Sequence, residues 1–264
     1  MSLFCLFIYC PLAHWTWHPD GFLNNWGVLD FAGGAVVHIS AGFASLAGAI
    51  YLGKRKFKHL KSYNTSYVLL GTGMLWFGWF GFNSGSALGA NEDAILAFVT
   101  TNTASAVCMI TWLVMEGIKG HKIKVIDACI GAVVGLVIIT PAAGFVNISQ
   151  SMFMGAIGAI ICNLFLDLFK RFDIDDSLDV FACHGMGGIV GLLLTGVFAK
   201  DVGLFYGETT TFTNHIYALV IISIFTFFGS LLIYKITALI IPIRVSNEIE
   251  EKGLDHSIHG ETLK

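Results

Sequence analysis

The sequence predicts an all-α, polytopic membrane helix bundle, and three observations carry that prediction. The first is composition: the 264 residues are 55% hydrophobic and 12% charged, with a mean hydropathy of +0.74, whereas a soluble domain carries about 25% charged residues. A water-facing exterior would need more ions than this chain supplies, and a bilayer removes that need. The second is a series of apolar runs near the length, about 20 residues, that crosses a bilayer as a helix. The third is the placing of the cations: thirteen of the fifteen lysines and arginines fall in alternate connections and in the tail.

Seven complete spans are predicted, near Trp26 to Gly53, Tyr67 to Leu88, Ala94 to Ile118, Ile126 to Val146, Met152 to Phe169, Val180 to Ala199 and Ile216 to Ile243. Ahead of them, Leu3 to Trp17 is apolar but too short to cross, and it lacks the basic start and small-residue cleavage pattern of a signal peptide. It reads as the end of a span whose beginning is absent. Lys54, Arg55, Lys56, Lys58 and Lys61 follow the first complete span; Lys119, Lys122 and Lys124 follow the third; Lys170 and Arg171 the fifth; Arg244, Lys252 and Lys264 the seventh. Cytoplasmic loops hold the excess of lysine and arginine, so these connections and the C-terminus are expected inside a multi-pass cell-membrane protein. Residues 1–243 form the membrane domain and 244–264 a cytoplasmic tail. Its acids Glu248, Glu250, Glu251 and Asp255 read as a solvated end.

The same inventory excludes several functions. A net charge of −3 provides no basic field for nucleic acid. The six cysteines are scattered singly, without the paired spacing of a zinc or redox site. No P-loop, GxGxxG or GxSxG motif occurs, so no enzymatic reaction, metal or cofactor is assigned. The 30 glycines include four-residue spacings at Gly81, Gly85 and Gly89, at Gly131 with Gly135, and at Gly187 with Gly191. Such spacing lets helix backbones approach closely in lipid.

Ionisable groups inside spans are costly, and they usually pair or line a pathway. Asp30 and His38 lie in the first complete span, and Asp179 and His184 at the start of the sixth. Two spans that each repeat Leu-Asp, a histidine and a glycine-rich continuation suit an inverted repeat with its site where the halves meet. Asp30 and His38 are eight residues apart, about 12 Å of helix, so they do not touch. Each acid reads as a helix-start or loop-bracing carboxylate satisfying free backbone amides. Depth counting leaves a conflict: His38 falls mid-span, but His184 lies only about 7 to 8 Å beyond Asp179.

These residues belong to longer strings. Leu29-Asp30-Phe31-Ala32-Gly33-Gly34 leads to Val37-His38-Ile39; Trp76-Phe77-Gly78-Trp79-Phe80-Gly81-Phe82-Asn83 leads to Gly85-Ser86-Ala87. Thr140-Pro141-Ala142-Ala143-Gly144 follows, then Asp175-Asp176, Leu178-Asp179-Val180 and His184-Gly185. In content and order they resemble the Amt/Mep/Rhesus ammonium transporters over nearly the whole chain. Members of that family have about eleven spans, so the chain is expected to start within the fourth.

The resemblance implies conduction of ammonium or ammonia, with methylammonium as an analogue. It matches Trp17, Ser86 and Trp79 to an outer vestibule that recruits ammonium, and Phe82 to one of two gating phenylalanines. His38 and His184 match a hydrogen-bonded pore pair. It further implies a homotrimer and a tail that meets PII-type signalling proteins. The chemistry is coherent: an indole face attracts a cation, a hydroxyl accepts an ammonium hydrogen bond, and an imidazole is a proton acceptor near neutral pH. Two rivals use the same residues. A bis-histidine haem redox protein would show a visible absorbance band. An ammonium sensor would bind without methylammonium uptake.

Overall fold

The computed structural model describes residues 1–57 and 64–261, so the predicted cytoplasmic cations Lys58, Lys61 and Lys264 lie outside the described residues. Helix α1 runs over residues 2–17. It stops at His18, whose extended backbone is the conformation a following proline, Pro19, imposes. The short helix α2, Phe22–Asn25, leads into an irregular stretch of residues 26–33. Then come α3 (Gly34–Leu52), α4 (Thr65–Gly85), α5 (Glu92–Ile118) and α6 (Val125–Ile139). The chain continues through α7 (Ile148–Phe169), α8 (Phe181–Phe198), α9 (Thr210–Ile240) and a short tail helix, α10 (Asn247–Lys252). No strand occurs among the described residues.

Five of these helices, α3, α5, α7, α8 and α9, are long and apolar enough to cross a membrane. α4 has 21 residues, and α6 has 15. Two boundaries differ from the sequence expectation for a common reason. The span expected from Trp26 starts instead at Gly34, and the span expected to reach Val146 ends at Ile139. The two ends meet: Phe31 N–H donates to the Pro141 carbonyl at 3.0 Å, and Ala32 N–H to the Thr140 carbonyl at 3.2 Å. Two non-helical stretches therefore satisfy each other's backbone groups inside the bundle, where lipid offers no partner. Apolarity alone does not distinguish such protein-buried loop from helix.

α5 packs against α6 and α7, and α9 lies along α3, with α8 between the two groups. Glycines set the closest approaches. A Cβ on Gly135 would come within 2.6 Å of Cys108 Cβ, and one on Gly155 within 2.5 Å of the Ala104 carbonyl oxygen. Gly131, Gly187 and Gly191 are likewise pressed against neighbouring helices. At Gly81 and Gly85 of α4 an added Cβ would meet no described atom within 4 Å.

At one end of the bundle the tail is docked rather than simply solvated. The Arg244 guanidinium donates to the carbonyls of Leu52 and Lys54, and Glu250 Oε1 accepts the Lys56 N–H at 2.5 Å. Arg55 makes a two-bond pair with Asp175, at 2.9 and 2.6 Å, tying the end of α3 to the loop before α8.

Candidate functional site

The start of α3 is set by one carboxylate. Asp30 Oδ1 accepts the N–H groups of Gly33 and Gly34 at 3.1 and 2.5 Å, and Oδ2 those of Ala35 and Val36 at 2.9 and 3.1 Å. A helix N-terminus leaves four such donors free, and the buried Asp30 satisfies them together. For the chain to fold back onto that side chain, Gly33 adopts φ 109°, a left-handed value that a side chain would strain. The first turn that follows, Gly34–Ile39, is π-helical and carries His38.

α8 repeats the plan from the opposite direction. It too opens with a π-helical turn, Phe181–Gly185, which carries His184. Its capping carboxylate, however, is Asp176, whose Oδ2 accepts the Phe181 N–H at 2.7 Å. The side-chain capping role expected of Asp179 is thus corrected. Asp179 takes a left-handed backbone, φ 53°, and its carbonyl accepts the Cys183 N–H at 2.9 Å. Its place is that of a chain-reversing residue just ahead of the helix.

α3 starts among buried residues after the stretch 26–33, whereas α8 starts just past the exposed Ser177 and Leu178. They run antiparallel, with only their early turns side by side. Glycine permits that contact: a Cβ on Gly42 would lie 2.2 Å from Gly185 Cα, and one on Gly188 would lie 2.8 Å from the Gly34 carbonyl oxygen. The consequence is that His38 and His184, each near the start of its helix, meet with Nδ1 atoms 3.3 Å apart.

Aromatic groups close around the pair. The Trp79 indole stacks on the His38 ring, with centroids 5.2 Å apart and planes 16° from parallel. Phe82 stands 6.2 Å from the same ring and meets Trp79 edge-on. Trp79 is fixed by Thr140, whose Oγ1 accepts the indole N–H at 2.9 Å while donating to the Leu136 carbonyl. Thr140 had no assigned role in the sequence reading, because only the fold shows that α6 ends beside Trp79. A cleft of about 450 Å³, lined by Val37, His38, Leu75, Trp79 and Phe82 among others, adjoins the His38 ring. His38 Nε2 is buried with no hydrogen-bond partner among the described residues.

Trp17 and Ser86 lie outside this cluster. The Trp17 indole N–H donates to the Asp30 carbonyl at 2.8 Å, which ties α1 to the capped start of α3. The Ser86 hydroxyl turns back onto its own helix and donates to the Phe82 carbonyl at 2.9 Å. The haem reading conflicts with the geometry. An iron between two imidazoles needs its nitrogens about 4 Å apart, taking ordinary metal–imidazole bonds of about 2.0–2.1 Å. Here the facing nitrogens are in direct contact.

An apolar multi-helix bundle with two half-buried helix starts and a facing histidine pair defines the class: a polytopic membrane protein with an internal polar site. The chain belongs to the Ammonium Transporter Family, whose family model matches residues 1–264. It is 46% identical to an ammonium transporter of Aquifex aeolicus, over 98% of this chain and 62% of the relative. It is 44% identical to an ammonium transporter of Bacillus subtilis, over 98% of this chain and 66% of the relative. Among solved structures, Candida albicans Mep2 superposes with a TM-score of 0.84 at 37% identity, covering 90% of this chain and 56% of that one. The chain therefore spans between 56% and 66% of the length of these relatives. The two bacterial relatives are named as transporters, not enzymes.

Proposed function

We propose that the protein carries ammonium across the cell membrane as ammonia, with His38 and His184 as the groups that pass or hold the proton. The observation that carries this reading is the direct contact of two imidazoles, Nδ1 to Nδ1 at 3.3 Å, inside an apolar bundle. Taking an intact ammonium ion through such surroundings costs several kcal/mol in lost hydration, whereas neutral ammonia escapes most of that cost. Imidazoles both accept and donate protons near neutral pH, so an entering ammonium can shed its proton to the pair or to water beside it. Potassium, with no proton to lose, is rejected at the same step.

In this reading Trp17, Ser86 and Trp79 recruit the cation by an indole face, a hydroxyl and a second indole. Phe82 gates the approach to the pair. Asp30 and Asp179 shape the backbone ahead of the two histidines. Lysine and arginine placement supports a cytoplasmic C-terminus, and a homotrimer and a PII-type partner at the tail belong to the same proposal.

The test is labelled methylammonium uptake with His184→Ala. The expected result is loss of uptake with normal arrival at the membrane. Undiminished uptake overturns the proton-acceptor role. The same assay separates transport from ammonium sensing without flux.

A further inference from the structure

A third buried histidine, marked by no sequence motif, touches both halves of the site. His215 on α9 is fully buried. Its Nδ1 lies 2.8 Å from the Leu192 carbonyl oxygen on α8, and the Leu29 N–H donates to its Nε2 at 2.9 Å. A carbonyl oxygen only accepts and a backbone N–H only donates. Nδ1 therefore carries the ring hydrogen, and Nε2 offers its lone pair. The ring is a neutral imidazole held in one tautomer, since a proton on Nε2 would set two donors against each other. Its seat is tight: a Cβ on Gly196 would come within 3.1 Å of Nδ1.

The two groups it joins have specific positions. Leu29 precedes Asp30, the carboxylate that caps the π-helical turn Gly34–Ile39, which carries His38. Leu192 lies two helical turns beyond His184 on α8. One side chain from a third helix thus bonds the entry of the His38 helix to the body of the His184 helix. Packing alone does not account for this. An apolar side chain of similar size would fill the volume and leave the Leu29 N–H without its acceptor.

We propose that His215 is a positioning residue that fixes α3 against α8 and so keeps His38 and His184 within hydrogen-bonding reach. The consequence for flux rests on the transport reading above; the positional claim does not.

The experiment is ¹⁵N-histidine magnetic resonance on the protein in lipid nanodiscs, combined with methylammonium uptake. The unaltered protein is expected to show His215 protonated at Nδ1 only, and signals of a hydrogen-bonded His38–His184 pair. His215→Leu is expected to shift or broaden the pair's signals and to lower uptake about tenfold. His215→Gln, whose carboxamide supplies both an acceptor and a donor, is expected to restore the signals and much of the uptake. A His215 protonated at Nε2, or pair signals unchanged in His215→Leu, overturns the proposal. If His215→Leu does not fold, the tautomer in the unaltered protein and the His215→Gln spectrum decide. Disturbed pair signals with full uptake uphold the positioning role and count against conduction through the pair.

Discussion

His38 Nδ1 and His184 Nδ1 face each other at 3.3 Å although 146 residues separate them in sequence. Two nitrogens in that relation share one hydrogen: one ring donates and the other accepts. Whichever ring donates through Nδ1 leaves its own Nε2 as an acceptor, so the tautomers of the two rings are linked. If His38 is the donor, its Nε2, which has no hydrogen-bond partner among the described residues, is an acceptor. The pair is therefore two rings with linked tautomers, and Trp79 is stacked over one of them.

The contact depends on glycine, and Gly42→Ala tests that dependence. The new methyl would lie 2.2 Å from Gly185 Cα and 2.4 Å from Gly185 N, both backbone atoms that cannot turn aside. α3 and α8 must separate by about an ångström or more, which breaks a hydrogen bond of this length. Methylammonium uptake is expected to fall to background with the protein still in the membrane. Gly117→Ala, whose methyl would meet, among the described residues, only Ile123 Cδ1 at 3.8 Å, is the control and is expected to be tolerated.

Much of this arrangement was legible in the residues. Apolar runs marked the helices, because lipid compels the backbone to bond within itself. The repeated Leu-Asp, histidine and glycine pattern marked His38 and His184 as a pair. Three things were not legible. Residues 26–33 are as apolar as a helix, and only the pairing of Phe31 and Ala32 with Pro141 and Thr140 shows that they are not one. Asp176 and Asp179 are equivalent in composition, and the choice of Asp176 as cap follows from the path of the chain into α8. His215 stands alone in its sequence neighbourhood, and its partners are 23 and 186 residues away.

Asp30→Asn probes the capped start of α3. The carboxylate satisfies four amides with two oxygens, whereas a carboxamide offers one oxygen and turns an NH₂ toward two of those donors. Charge-assisted bonds of this kind contribute about 1.5–3 kcal/mol each. A net loss on the order of 3 kcal/mol corresponds to a fall in Tm of about 6–12 °C for a chain of this size. Thermal unfolding in detergent measures it. An unchanged Tm would show that the four amides do not depend on this carboxylate.

The tail provides the last expectation, because an ionised carboxylate, Glu250, joins Arg244 in docking it. Burial pushes the Glu250 carboxyl upward, but the N–H groups of Lys56 and Phe57 and the Arg244 guanidinium outweigh it and hold the group below the usual glutamate range. A carboxyl whose docked value lies below its free value strengthens docking when ionised. That contribution is complete above the free value, about 4.3, and is lost as pH falls through the lower docked value. Glu250→Gln should release the tail at neutral pH, since the carboxamide lacks the charge that Arg244 and the two amides recognise. A spin label at Lys252 is expected to be immobile in the unaltered protein at about pH 7. It should become mobile as pH falls through the docked value of Glu250, and in Glu250→Gln at every pH. A label that stays immobile in Glu250→Gln would assign the docking to Arg244 and its carbonyl partners Leu52 and Lys54 instead.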